Sequence, residues 1–167
     1  SDVYKRQIQA ITPDGAGPTA TTDRLVMGPA LTVPYRCNFA TDDQFALWNV
    51  IDANNDEYTW KRETTLAAAY YYYNEDGETG GDDWLVSSPI HLEKNKIYRL
   101  KFKLQSYDVG YPEKVAVHLG TGASVAEQTT LLGDYEVESN TFVEYKVILP
   151  ERLESGNYHI SFHCHSE

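Results

Sequence analysis

Between Tyr98 and Leu104 the chain alternates without a break. Tyr98, Leu100, Phe102 and Leu104 fall on one side of an extended backbone, and Arg99, Lys101 and Lys103 fall on the other. A helix would scatter these seven residues around its axis, whereas a period of two separates them cleanly. The stretch therefore reads as a half-exposed antiparallel strand, apolar face to a core and basic face to water. The same texture runs through everything after residue 34. Strand candidates are 35–39, 47–52, 58–62, 68–73, 83–87, 97–106, 114–120, 130–137, 142–149 and 157–165, separated by turn signals such as Asn74-Glu-Asp-Gly77, Gly80-Gly81, Gly110-Tyr-Pro112 and Ser155-Gly156. The two helical candidates, 41–47 and 124–129, are at most two turns each. Many short strands at this spacing predict an all-β fold, a jelly-roll β-sandwich.

The first 34 residues behave differently. A strand over 3–11 is followed by the turn cluster Thr12-Pro-Asp-Gly-Ala-Gly-Pro18 and a second strand over 19–27. A lone strand pair buries no core of its own, so it is expected to belong to a preceding module. Gly28-Pro-Ala-Leu-Thr-Val-Pro34 reads as a linker, since its two prolines remove ladder donors. The expected organisation is 1–27 as that strand pair, 28–34 as linker and 35–167 as the sandwich.

Charge narrows the partners. A 167-residue chain with formal net charge −11 is a poor ligand for nucleic acid or for an anionic membrane. No apolar run approaches the length of a membrane span, so membrane insertion is not expected. The two cysteines, Cys37 and Cys164, read as small buried thiols; a bridge between them is the alternative.

The acidic residues are not evenly spread. Trp48 to Trp60 holds two aromatic, strand-like flanks around a turn carrying Asp52, Asn54 and Asp56. Oxygen side chains at alternate positions of a curling backbone can converge on one hard cation. Glu63 even stands where the twelfth position of a helix-loop-helix calcium loop would be, but Glu57 occupies the sixth, which requires Gly. The expectation is thus a Ca²⁺ site on a β-turn, with Asp83 reaching in from a second segment; the alternative is an ordinary turn whose Asp and Asn cap their own backbone.

Tyr is abundant at 13 residues, four of them consecutive at Tyr70–Tyr73. Alternation puts Tyr70 and Tyr72 on one face and Tyr71 and Tyr73 on the other, one pair for the core and one for a surface platform. Tyr71 and Tyr73, with Tyr107 and Tyr111 in a neighbouring loop, are the candidate contacts for sugar rings or a protein partner. The competing reading of the run is a cross-strand aromatic pair.

Catalytic signatures are lacking: there is no G-x-S-x-G elbow and no phosphate-cradling glycine loop. Cys164 lies between His163 and His165, but alternation sends its side chain away from both. His159, His163 and His165 share a face, and the last two can pinch a transition metal; a strand end reading out to solvent is the commoner meaning.

Five segments then add up to a resemblance. Trp48…Ile51-Asp-Ala-Asn-Asn-Asp56…Trp60, Asp82-Asp-Trp-Leu-Val-Ser-Ser-Pro-Ile90, Ile97-Tyr-Arg-Leu-Lys-Phe102, Tyr111-Pro-Glu-Lys-Val-Ala-Val117 and Ser155-Gly-Asn-Tyr-His-Ile-Ser-Phe-His163 together resemble choice-of-anchor J or cleaved-adhesin domains. These are jelly rolls related to MAM domains, found in bacterial surface and secreted proteins. The resemblance covers residues 35 to 167 and implies a domain truncated before the family's acidic closing strand. The opening strand pair resembles the tail of a fibronectin type III module, and the first seven residues resemble a read-through tract. The resemblance implies a non-catalytic extracellular or cell-surface module. Its expected partners are a glycan, a host or extracellular protein surface, and neighbouring modules of the same chain. The alternatives are a glycan-degrading enzyme domain or accessory and a purely structural spacer.

Overall fold

The computed structural model describes residues 29–72, 80–151 and 153–166, together with the backbone of 3–4, 7–12, 15–21 and 25–26. In chain order the strands are β1 (Val3–Tyr4), β2 (Gln7–Thr12), β3 (Gly15–Thr21), β4 (Leu25–Val26), β5 (Asn49–Asp52), β6 (Trp60–Glu63) and β7 (Ala68–Tyr71). They continue with β8 (Asp83–Val86), β9 (Ile90–Leu92), β10 (Arg99–Leu104), β11 (Glu113–Gly120), β12 (Thr130–Val137), β13 (Val143–Ile148) and β14 (Gly156–Cys164). The helical content among these residues is one turn, α1 (Asp42–Phe45), and a 3-10 turn at Val125–Glu127. Thr41 caps α1, its hydroxyl accepting from the Gln44 N–H.

The principal sheet is antiparallel, in the order β12-β11-β14-β8-β5. β8 and β9 both pair with β14, one along its second half and one along its start. Pro89 supplies no N–H between them, and the Ser87 hydroxyl accepts from the Ile160 N–H where the ladder is interrupted. Two further ladders, β10 with β13 and β6 with β7, supply the second layer. Phe102 meets Phe162 of β14 edge to face at 5.3 Å and stacks on Tyr145 of β13 at 5.6 Å. Leu100 and Tyr98 pack on Val117, Leu119 and Ile160, while Trp60 and Tyr71 pack with Leu85, Val115 and Cys164. The molecule is thus a β-sandwich. Leu85, Val117 and Val137 are essentially inaccessible, and each such burial is worth about 1.5–3 kcal/mol.

Expectation and structure differ at identifiable places. Residues 35–39 are not a strand; Phe39 takes φ of 53°, which an extended ladder does not accommodate. β9 has no counterpart among the expected strands, because Pro89 reads as the end of pairing rather than a pause in it. Residues 15–18 lie in β3 and not in the turn cluster. In the first 26 residues β1 pairs with β4 and β2 with β3, and among the described residues neither ladder pairs with a strand of the sandwich sheets. Cys37 and Cys164 are unbridged, the latter fully buried on the core side of β14.

Candidate functional site

β5 and β8 pair so that Asp52 and Asp83 are direct cross-strand partners at the end of the ladder. Like charges opposite one another are unfavourable on a sheet, so this pairing needs a reason. The turn after β5 is tightly wound. Asp52 accepts the Asp56 N–H at 3.2 Å and the Glu57 N–H at 2.9 Å, and Asp56 accepts the Tyr58 N–H at 2.9 Å. Asn55 and Glu57 take left-handed φ values of 57° and 69° to allow it. Asn54 donates its amide to the Gly80 carbonyl at 3.0 Å, which leaves its side-chain oxygen buried and without a partner.

Asp83 is the anomaly. It is 0% exposed, and neither carboxylate oxygen has a hydrogen-bond partner among the described residues. Burial, with the charges of Asp52 and Asp56 adding to it, pushes its pKa up to about 6. The Thr59 hydroxyl beside it pulls the other way, although its geometry falls short of a hydrogen bond and its oxygen is also unpartnered. Among the described residues no three His, Cys, Asp or Glu side chains are arranged as a finished metal cluster. Asp52 and Asp56 are turned onto backbone N–H groups, as turn-forming aspartates are. Each carboxylate oxygen nevertheless keeps a second lone pair. The donor set of carboxylates, an amide oxygen and a hydroxyl is all oxygen, which suits a hard cation of irregular shell and not zinc. Asp83, Asn54 and Thr59 each carry buried oxygens without a hydrogen-bond partner among the described residues.

The tyrosines divide between core and surface. Tyr71 points to the core side, 5.9 Å from Trp60, while Tyr70 and Tyr72 form an edge-to-face pair at 5.8 Å. Tyr70, Tyr71 and Tyr107 line one cavity of about 310 Å³ between the β6–β7 ladder and β10. Glu63, Lys103 and Glu113 also border it. Burial raises the Glu113 carboxyl above its ordinary value, against the Ser166 hydroxyl that donates to it. Burial first, and then the nearby Asp83 charge, raises Tyr71. Tyr71 thus lines the cavity and feels the Asp83 charge, and its hydroxyl packs where Gly81 has no side chain. Tyr111 is exposed in the 107–112 loop and does not line this cavity. Tyr73 lies outside the described residues.

Tyr70, Thr59 and Glu113 belong to the site although the sequence does not single them out. Tyr70 carries the right signal, but alternation alone sets it on the face opposite the candidate platform. Nothing in the sequence shows that Glu113 begins a strand facing a cavity. The other face of the sheet holds a second cluster. His163 stacks on Trp84 at 4.0 Å, and its Nε2 lies 2.7 Å from Asp82; His165 Nε2 lies 2.9 Å from Asp134. His163 and His165 do share that face, but each is engaged with its own carboxylate. Burial, foremost, lowers the His163 pKa.

No protein-family model matches the chain, and no curated protein does. Among solved structures it is similar to three cleaved adhesin domains of Lys-gingipain from Porphyromonas gingivalis. The K1 domain aligns with a TM-score of 0.55 at 21% identity, over 72% of this chain and 82% of that one. The K3 domain gives 0.55 and 19% over 73% and 82%, and the K2 domain 0.55 and 16% over 81% and 86%. The fold is that of the cleaved adhesin domains.

Proposed function

We propose that this chain is a non-catalytic, extracellular adhesion module of a multidomain bacterial surface or secreted protein, and that it recognises carbohydrate with the help of a bound Ca²⁺. The observation that carries the reading is the cavity bordered by Tyr70, Tyr71 and Tyr107, with the unpartnered Asp83 carboxylate near enough for its charge to act on Tyr71. Tyrosine faces offer stacking area at low entropic cost, and a concave site with a few polar groups is where a small ligand is held. Ca²⁺ held by Asp52, Asn54, Asp56 and Asp83 would neutralise the opposed pair and fix the strand ends that position Tyr71. The likeness to adhesin domains supports an adhesive role, and kinship with choice-of-anchor J domains, placed after a fibronectin type III module over residues 1–27, belongs to the same reading. Among the described residues no helix is long and apolar enough to cross a membrane.

A glycan-degrading activity is the second reading, because Glu63 and Glu113 border the same cavity with pKa values pushed in opposite directions. It is disfavoured by what the two carboxyls already do: Glu63 accepts the Thr65 N–H and Glu113 holds the Ser166 hydroxyl. A glycan-array screen with Ca²⁺ and with chelator tests the proposal. Binding that needs Ca²⁺ and falls with Tyr107→Ala supports it. Turnover of a glycoside that Glu113→Gln abolishes would replace it with the enzymatic reading.

A further inference from the structure

The outward face of the β10–β13 ladder is basic, in a chain that is otherwise strongly acidic. Register sets Arg99 opposite Ile148, Lys101 opposite Lys146 and Lys103 opposite Glu144. Arg99, Lys101, Lys103 and Lys146 are all exposed, and they are 4 of the 14 basic residues in a chain with 25 acidic ones. Successive cations on β10 stand about 6.8 Å apart, and the cross-strand pair about 5 Å apart. The acidic residue of this face is Glu144, which pairs with Lys146 at 3.0 Å. The Lys146 hydrogen bond and charge, with the charges of Lys101 and Lys103 adding, hold its carboxyl below the ordinary range. Among the described residues Arg99, Lys101 and Lys103 form no ion pair. A surface needing only solubility intersperses its charges, and a Lys directly opposite a Lys is a local cost. Glu144 relieves that cost only in part, since one carboxylate faces four cations, and a local cost left standing on a surface marks a place where a ligand can relieve it.

We infer that this strip binds a linear anionic polysaccharide, one bearing carboxylate or sulfate groups. The strip is one ladder wide, and the chain around it is negative, so a broad anionic surface such as a bilayer or a duplex is repelled at its margins. A single polysaccharide strand touches the strip alone. Lys103 also borders the tyrosine cavity, which gives the polymer a continuous path from cations to stacking rings. The inference rests on the carbohydrate-binding reading above and names its ligand class.

The test is calorimetric titration of the full chain with dextran sulfate, hyaluronan and uncharged dextran, with phosphatidylserine vesicles and duplex DNA as further arms. Binding of dextran sulfate or hyaluronan is expected, weakening several-fold between about 50 and 200 mM salt, and the two polymers tell sulfate from carboxylate recognition. Lys101→Gln with Lys146→Gln is expected to weaken it on the order of tenfold, about threefold per exposed cation. The same double variant should melt close to the parent temperature, because the opposed pair and the exposed Glu144–Lys146 pair are lost together. That result separates a lost site from a lost fold. No binding of either polyanion, unchanged binding by the double variant, or equal binding to vesicles or DNA would overturn the inference. Uncharged glycans bound through Tyr107 without any polyanion would overturn it and leave the general carbohydrate reading standing; no carbohydrate bound at all would remove both.

Discussion

Replacing Asp83 with Asn separates a cation site from a decorative turn, because the two make opposite demands on the same side chain. In the folded domain the Asp83 carboxylate is buried, without a hydrogen-bond partner among the described residues, and opposite Asp52. Burial raises its pKa from an ordinary 3.8 to about 6, which corresponds to about 3 kcal/mol of penalty when the group is ionised. Because the folded-state pKa is the higher one, the folded chain holds the proton between about pH 4 and pH 6. The associated stability is full below about pH 4 and is lost as the pH rises through about 6. Asp83→Asn removes that penalty, so without calcium at about pH 7.5 the variant should melt roughly 5–10 °C above the parent. Calcium should stabilise the parent by about 2.7 kcal/mol at a hundredfold excess over its dissociation constant, and the variant hardly at all. The gain should shrink at about pH 5, where protons compete for Asp83. Differential scanning calorimetry with calcium and with chelator, at both pH values, reads all of this. A variant that melts lower than the parent without calcium and still responds fully to calcium would refute the reasoning.

Three other outcomes are expected. Gly81→Ala places a Cβ 2.5 Å from the Tyr71 hydroxyl, so it should cost about 1–3 kcal/mol of stability by overpacking and weaken the calcium response as well; chemical denaturation of both forms checks it. Leu85→Ala should cost about 2–5 kcal/mol, since Leu85 is 1% exposed in the core, and calcium should not restore the loss. His163, whose pKa is lowered by burial, stays neutral in the fold where the unfolded chain takes up a proton. Its contribution is therefore present above about pH 6.5 and lost as the pH falls below it, and His163→Gln should flatten the decline of melting temperature between about pH 6.5 and 5.

The strands that alternate strongly are legible from the residues, and the interruptions are not. β10 carries an unbroken period-two pattern, and the folded strand Thr130–Val137 has the expected limits although a bulge at Leu132 shifts its phase. β9 is three residues after a proline, too short for periodicity to register, and its pairing depends on β14 being long enough to serve β8 and β9 in turn. The acidic turn is legible as a turn, because Asp and Asn at alternate positions say so locally. The pairing of Asp52 with Asp83 is a register between segments far apart in sequence, and only the folded ladder displays it. The tyrosine run illustrates the same limit. Alternation correctly splits Tyr70 from Tyr71, but that both border one cavity depends on where the β6–β7 ladder sits over β8, β11 and β14. Lys101 against Lys146 is likewise invisible until β13 is paired.

A glycan array probed with the domain in Ca²⁺, with the domain in chelator and with Tyr107→Ala addresses the proposed adhesive, carbohydrate-binding role most directly. Retention on a restricted set of glycans, lost on chelation and weakened at least several-fold by Tyr107→Ala, is the expected result. Retention on no glycan in any form, or release of cleaved sugar from the array, would contradict it.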